Sequence, residues 1–142
     1  MINNIKILLF FPVLCFADNS LIIKEIAENF KIDGKLLIAL CKVESGLNAS
    51  AINHNDGGEA SIGLCQVKLS TARWHGYKGL LNGLYNPKIN AHYAAKHLAH
   101  LINKYKNEDK ALAAYNMGSL KFNWRGEIWN RGYVKKVRKI YD

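Results

Sequence analysis

The sequence predicts a mainly helical α+β domain, with helices surrounding a small hairpin or loop layer. Three observations predict it. Apolar residues recur at helical spacing along most of the chain, and capping residues stand at the heads of these stretches. Between the second and the later helices, "NASAINHNDGGEASIGLCQVKLSTAR" breaks the pattern: "NDGG" is a turn signal, and "SIGLCQV" reads as short extended structure.

Taken in order, Asp18, Asn19 and Ser20 offer N-caps to a first helix whose stripe is Ile22, Ile26 and Phe30. Asp33 caps a second helix from about Gly34 to Ser45, with Gly46 as its stop signal. Only Lys35 and Lys42 interrupt its apolar surface before Glu44, so it is the expected central helix. "STARWHGY" suggests a brief helix. Asn86 followed by Pro87 opens a long one, with Ala91, Ala94, Leu98, Leu101 and Tyr105 on one side. "DKALAAYNMG" reads as a further helix capped by Asp109 and stopped by Gly118. A loop with Trp124 and Trp129 follows. The last helix, from about Gly132, carries Tyr133, Val137 and Ile140 on one side and basic residues elsewhere.

The length of 142 residues suits one domain, and an apolar fraction of 49% is enough for a core. The first segment, "MINNIKILLFFPVLCFA", stands apart. Lys6 precedes an apolar run from Ile7 to Phe16, with Cys15 and Ala17 at small-residue cleavage positions. The run is short for a membrane span. The expected organisation is a signal peptide over 1–17 and a catalytic domain over 18–142, with an uncleaved N-terminal anchor as the alternative. The formal charge is +9. A basic exported chain meets acidic partners outside the cytoplasm, and no nucleic-acid-binding motif is present. No stable membrane insertion is expected after cleavage.

Cys41 and Cys65 remain beyond the signal. In an oxidising compartment an even count permits one disulfide, and two buried free thiols are the alternative. No CxxC and no HExxH occurs, so no metal site is expected.

Glu44 ends the apolar helix. It shares a face with Cys41, Leu40 and Leu37, which precede it by three, four and seven residues. Partial burial and the negative end of the helix dipole both disfavour a carboxylate there. Such an acid can stay protonated near neutral pH, as a general acid must.

Four motifs in order then resemble those of the catalytic domain of bacterial soluble lytic transglycosylases, whose fold is lysozyme-like and related to goose-type lysozyme. They are "ES" at Glu44-Ser45, "GLCQ" at Gly63 to Gln66 (for the family's GLMQ), "AYN" at Ala114 to Asn116 followed by Gly118, and "YV" at Tyr133-Val134. The resemblance covers nearly all of residues 21–142. It implies a lyase acting on the β-1,4 bond from N-acetylmuramic acid to N-acetylglucosamine in peptidoglycan. The product carries a 1,6-anhydromuramic end. Glu44 is the single acid/base; Ser45, Gln66, Thr71, Tyr115, Asn116 and Tyr133 are the implied substrate-binding set, with Tyr115 close to Glu44. No cofactor is implied. The expected protein is a monomer acting on glycan strands in the periplasm or cell envelope, or secreted, with a secretion apparatus as an envelope partner to consider.

The chain departs from the family in two places. Cys65 replaces the methionine, a packing position. Lys68 stands where goose-type lysozymes have an acid. It speaks against their mechanism, and it either meets a peptide-stem carboxylate or is a solvated loop lysine. Asp56 and Glu59 flank the "NDGG" turn and are expected to be exposed. His92, His97 and His100 read as surface or satisfied histidines, and Trp124 and Trp129 as either groove-lining or packing residues. Two other functions remain open: a muramidase using Asp56 or Glu59 to position water, and a protein that binds peptidoglycan without cutting it.

Overall fold

The computed structural model describes residues 18–142, so the segment over 1–17 that the sequence suggests is a signal lies outside the described residues. Helix α1 spans Asn19–Asn29, and its N-cap Asp18 accepts a hydrogen bond from the Ser20 amide at 3.0 Å. Helix α2 spans Gly34–Ser45. Asp33 caps it by accepting from the Lys35 amide at 2.8 Å, and Gly46 ends it in the left-handed region at φ 67°. A cap of this kind contributes about 1 kcal/mol. Leu36, Leu37 and Leu40 of α2 are fully buried. At about 1.5–3 kcal/mol each, their burial rather than helix propensity holds α2 at the centre.

A three-stranded antiparallel sheet follows: β1 Ile52–Asp56, β2 Glu59–Ile62 and β3 Val67–Lys68. Asp56 pairs with Glu59 around the Gly57-Gly58 turn, and the register shifts by a bulge between Asn53 and Asp56. Short helix α3 covers Leu69–Trp74, and a 3₁₀ turn covers Leu81–Tyr85. Helix α4 then runs Pro87–Tyr105, α5 Glu108–Met117 and α6 Arg131–Tyr141.

Several sequence expectations are corrected. The cap of α5 is Asn107, which accepts from the Lys110 amide at 2.9 Å. Asp109 lies inside the first turn and, with Glu108, holds Arg138 of α6. In α1 the deepest residues are Ile22, Ile23 and Ala27, while Ile26 and Phe30 are half-buried. In α6 the buried pair is Val134 and Val137, and Ile140 faces solvent. Trp124 and Trp129 belong neither to the core nor to the groove wall. They stand exposed on a small hairpin closed by the Phe122–Ile128 bridge.

One buried polar residue ties the sheet layer to the helices. The Asn90 amide on α4 donates to the Ile62 carbonyl at 2.7 Å and the Leu84 carbonyl at 2.8 Å. Its oxygen accepts from the Cys65 amide at 2.9 Å. Every bonding direction used is satisfied, as burial demands. Gly63 packs against this junction at φ +77°. A Cβ there would meet Asn90 Nδ2 at 2.6 Å and the Leu84 carbonyl at 2.7 Å, so only glycine fits.

Candidate active site

Glu44 sits in the last turn of α2 and opens into a pocket between the sheet and the helices. Each neighbouring element supplies part of the wall. Asp56 comes from the end of β1, and Gln66, Val67 and Lys68 from the third-strand segment. Thr71 comes from α3, Tyr93 and His97 from α4, and Tyr115 and Asn116 from α5. The Glu44 carboxyl is pushed up to about 7, first by burial and then by the nearby Asp56 charge, against the opposing pull of a Tyr133 hydrogen bond. Tyr133, in the first turn of α6, donates its phenol proton to Glu44 Oε1 at 2.5 Å. Burial and the Glu44 charge push the Tyr133 hydroxyl far above its ordinary range, so it is a permanent donor.

The implied binding residues divide into those that face the pocket and those that build it. Thr71, Asn116, Lys68, Gln66 and Tyr115 line it. Ser45 and Tyr133 are not on its wall. The single Ser45 hydroxyl proton goes to the Leu64 carbonyl at 2.6 Å, while its oxygen accepts from the Asn48 amide at 3.0 Å. Ser45 thereby fastens the end of α2 to the "GLCQ" turn. Tyr115 is near Glu44, but its hydroxyl donates to the Cys65 carbonyl at 2.8 Å; the phenol bonded to Glu44 is Tyr133. Gln66, at φ 51°, also turns inward. It accepts from Ser61 Oγ at 2.9 Å and donates to the Gly63 carbonyl at 3.1 Å, so its amide organises its own turn. Asn116 accepts from Asn130 Nδ2 at 2.9 Å, which joins α5 to the head of α6. Cys41 and Cys65 form a disulfide that joins α2 to the same turn, one helical turn before Glu44.

Asp56 is not the exposed turn residue expected from the sequence. It is partly buried on the pocket wall and pairs with Lys68 at 3.3 Å. The pair forms because β1 and β3 flank β2 in one sheet, with Ser61 opposite Lys68. Lys68 is therefore neither a loop lysine nor an unpartnered cation. Glu59 points elsewhere and takes the hydroxyl and amide protons of Ser70.

Sequence reasoning missed Tyr93 and His97. They lie four residues apart on α4, which places them on one face, and that spacing was the available signal. His97 Nδ1 meets His75 Nε2 at 3.0 Å. Burial and neighbouring positive groups lower both rings to about 4, so both are neutral in ordinary conditions. Among the described residues no group of three or more His, Cys, Asp or Glu is arranged to hold a metal ion.

A helical domain with a small sheet beside a single buried acid defines the lysozyme-like class of folds. The family model described as "Transglycosylase SLT domain" matches residues 21–131, and the chain belongs to that family. It is 34% identical over 95 residues to Protein IpgF of Shigella flexneri, covering 65% of this chain and 62% of IpgF. It is 30% identical over 114 residues to Invasion protein IagB of Salmonella typhimurium, covering 79% of this chain and 69% of IagB. The chain thus spans somewhat under two thirds of IpgF's length. In fold it is similar to the lytic transglycosylase Slt of Pseudomonas aeruginosa, solved as an inactive mutant, with a TM-score of 0.71 at 22% identity. That likeness covers 85% of this chain and 23% of Slt.

Proposed function

We propose that the protein is an exported peptidoglycan lytic transglycosylase with Glu44 as its single acid/base. The observation that carries this reading is the Glu44 carboxyl itself. It is raised to about 7, its Oε1 is engaged by Tyr133, and it opens into a pocket walled by polar and aromatic side chains. With Oε1 occupied as an acceptor, the proton rests on Oε2. There it is available to the glycosidic oxygen.

The chemistry needs no second carboxylate. Glu44 gives its proton to the leaving oxygen as the bond from C1 of the muramic residue breaks. The oxygen of that sugar's acetamido group bonds to C1 and carries the positive charge. Glu44, now a carboxylate, takes the proton of the 6-hydroxyl. O6 then bonds to C1 and displaces the acetamido oxygen, leaving the 1,6-anhydro end and a regenerated acid. Holding the 6-hydroxyl beside C1 makes ring closure an intramolecular step, which is a large entropic advantage.

The same reading assigns residues 1–17 as the export signal and the cell envelope as the place of action. The described residues contain no helix long and apolar enough to cross a membrane. The similarity to a relative named Invasion protein IagB supports a role in invasion as part of this reading.

A second reading, a muramidase, is favoured by one observation: Asp56 lies on the same pocket wall as Glu44. A carboxylate there could orient a water. Its pairing with Lys68 favours ring closure, because the charge is already engaged. Digestion of peptidoglycan in heavy-oxygen water separates the two. Ring closure incorporates no label at the new end; labelled reducing ends as the main product would sink the lyase reading.

A further inference from the structure

The segment between α5 and α6 folds into a small, well-tied hairpin. The Phe122–Ile128 bridge joins its two sides. The Asn123 amide donates to the Glu127 carbonyl at 2.8 Å, and the Trp129 amide to the Lys121 carbonyl at 2.9 Å. The Gly126 amide closes the turn on the Asn123 carbonyl at 3.0 Å, which leaves Trp124 and Arg125 at the apex. Asn123 Oδ1 fixes that turn by taking the Arg125 and Glu127 amides at 2.9 and 3.0 Å. At the foot of the hairpin Asn130 donates to the Ala113 carbonyl at 3.1 Å and to Asn116 at 2.9 Å.

This ordered hairpin turns three large aromatics to solvent. Trp124 is 86% exposed, Trp129 65% and Phe122 50%. None of the three lines the Glu44 pocket. Exposed apolar side chains gathered in this way mark an interaction surface. A ring that projects from the apex of a turn suits a soft layer it can enter, rather than a cleft that encloses its ligand. The headgroup layer of a bilayer is such a medium, and indole rings concentrate there.

The surrounding charge selects the kind of bilayer. Lys121 and Arg125 belong to the hairpin, and the Arg125 guanidinium stands 4.5 Å over the Trp124 ring centroid. Arg131 and Lys135 of α6 adjoin it, since both line a depression with Ile128 of the hairpin. The acid in that depression, Asp109, is paired with Arg138. Glu127 is the one acid between residues 120 and 141, and Arg131 at 2.8 Å and Asn123 Nδ2 at 3.0 Å already engage it. Lys121, Arg125 and Lys135 make no ion pair among the described residues. Indoles at a tip flanked by unpaired cations match a membrane surface with anionic phosphate headgroups.

We propose that the hairpin from Phe122 to Trp129 is a membrane-docking element, which sets Trp124 and Trp129 in the headgroup layer of an anionic bilayer and pairs Lys121, Arg125 and Lys135 with its phosphates. The binding is peripheral and reversible. It does not depend on the transglycosylase reading. Through Asn130 and Asn116 the hairpin is fixed to the Glu44 pocket, so docking holds that pocket close to the bilayer.

The test uses residues 18–142, the whole described fold, so that the apolar run from Ile7 to Phe16 cannot supply the binding. The probes are vesicles of phosphatidylcholine alone, vesicles of phosphatidylcholine with phosphatidylglycerol, and purified peptidoglycan sacculi. Co-sedimentation gives the partition onto each, indole emission reports entry into the bilayer, and thermal melts confirm that each variant is folded. The unaltered protein should partition onto the mixed vesicles with blue-shifted emission, and far less onto phosphatidylcholine. Trp124→Ala should weaken this partition about tenfold. Lys121→Gln and Arg125→Gln should each weaken it about fivefold, and added salt should act in the same direction. Trp74→Ala removes an exposed indole of α3, away from the hairpin, and should change nothing. No partition onto the mixed vesicles would overturn the proposal. So would equal partition of Trp124→Ala and the unaltered protein, or equal losses for Trp124→Ala and Trp74→Ala. Loss of binding to sacculi alone in Trp124→Ala would also overturn it and assign the hairpin to glycan. None of these results bears on the chemistry of Glu44.

Discussion

Tyr133 donates a 2.5 Å hydrogen bond to Glu44, joining the first turn of α6 to the last turn of α2 across 89 residues of sequence. The bond favours the carboxylate form of Glu44, while burial, the larger effect, favours the acid. The balance leaves a carboxyl near 7 that can both give and retrieve a proton close to neutrality.

Glu44→Gln should therefore abolish cleavage while preserving the fold. The amide is nearly isosteric but has no proton to transfer, and loss of a general acid–base group is typically worth about 10²–10⁴-fold in rate. Turnover of purified peptidoglycan, followed by mass spectrometry of the products, measures it. Near wild-type turnover in a folded protein would remove Glu44 from the mechanism.

The same substitution should change how stability depends on pH. The folded-state value of Glu44 lies above the ordinary carboxyl value of 4.5, at about 7. Below pH 4.5 both states are protonated and the group costs nothing. As pH rises from 4.5 to 7 the unfolded chain ionises first, so stability is progressively lost. Above 7 the full penalty is present. A shift of this size corresponds to roughly 3 kcal/mol. Thermal melts of wild type should lose stability across that window relative to Glu44→Gln. Parallel Tm curves for the two proteins would contradict a raised Glu44.

Tyr133→Phe removes the group that pulls Glu44 towards the anion. Its carboxyl should rise further, and the alkaline fall in kcat/KM, set by loss of the acid, should move to higher pH. Turnover itself should drop, because the carboxyl loses its orientation. A pH–rate profile with an unmoved alkaline limb would show that Tyr133 acts on packing alone.

The Cys41–Cys65 disulfide closes a loop with a sequence separation of 24. In the chain-entropy picture a loop of that size contributes about 3 kcal/mol. Cys41→Ala with Cys65→Ala should lower stability by about that amount in denaturant melts. It should also loosen the turn whose Cys65 carbonyl anchors Tyr115. Intact mass after alkylation without reductant checks the bond in freshly exported protein. Two alkylatable thiols would count against it.

Gly63→Ala should be costly for two independent reasons. The positive φ disfavours a side chain, and the new Cβ would strike Asn90 and the Leu84 carbonyl. A loss of about 2 kcal/mol or more is expected. Activity should fall with it, because Asn90 also holds the Cys65 amide beside the pocket. An unchanged melting curve would mean that the Asn90 junction is softer than its three hydrogen bonds imply.

What the sequence by itself determined is what neighbours along the chain decide. Asp33, the apolar run and Gly46 bound α2 because caps and stops act within one turn, and that boundary put Glu44 at the end of a buried face. "NDGG" marked the hairpin because a tight turn needs residues tolerant of positive φ. A local signal also misled: Asp109 has the side chain of a cap, but Asn107 caps α5, while Asp109 pairs with Arg138 of α6. Only the tertiary structure decided where polar side chains spend their hydrogen bonds. Ser45 and Gln66 resemble substrate binders in sequence; in the fold carbonyls of the "GLCQ" turn take up their donors, while Gln66 also lines the pocket. Asp56 entered the pocket because a three-stranded sheet set it beside Lys68, and His97 because α4 presents that face to α5. Tyr133 found Glu44 across 89 residues. Caps, turns and periodicity are short-range forces and leave a trace in the local sequence. A side chain's hydrogen-bond partner is set by which distant surfaces pack together, and that leaves none.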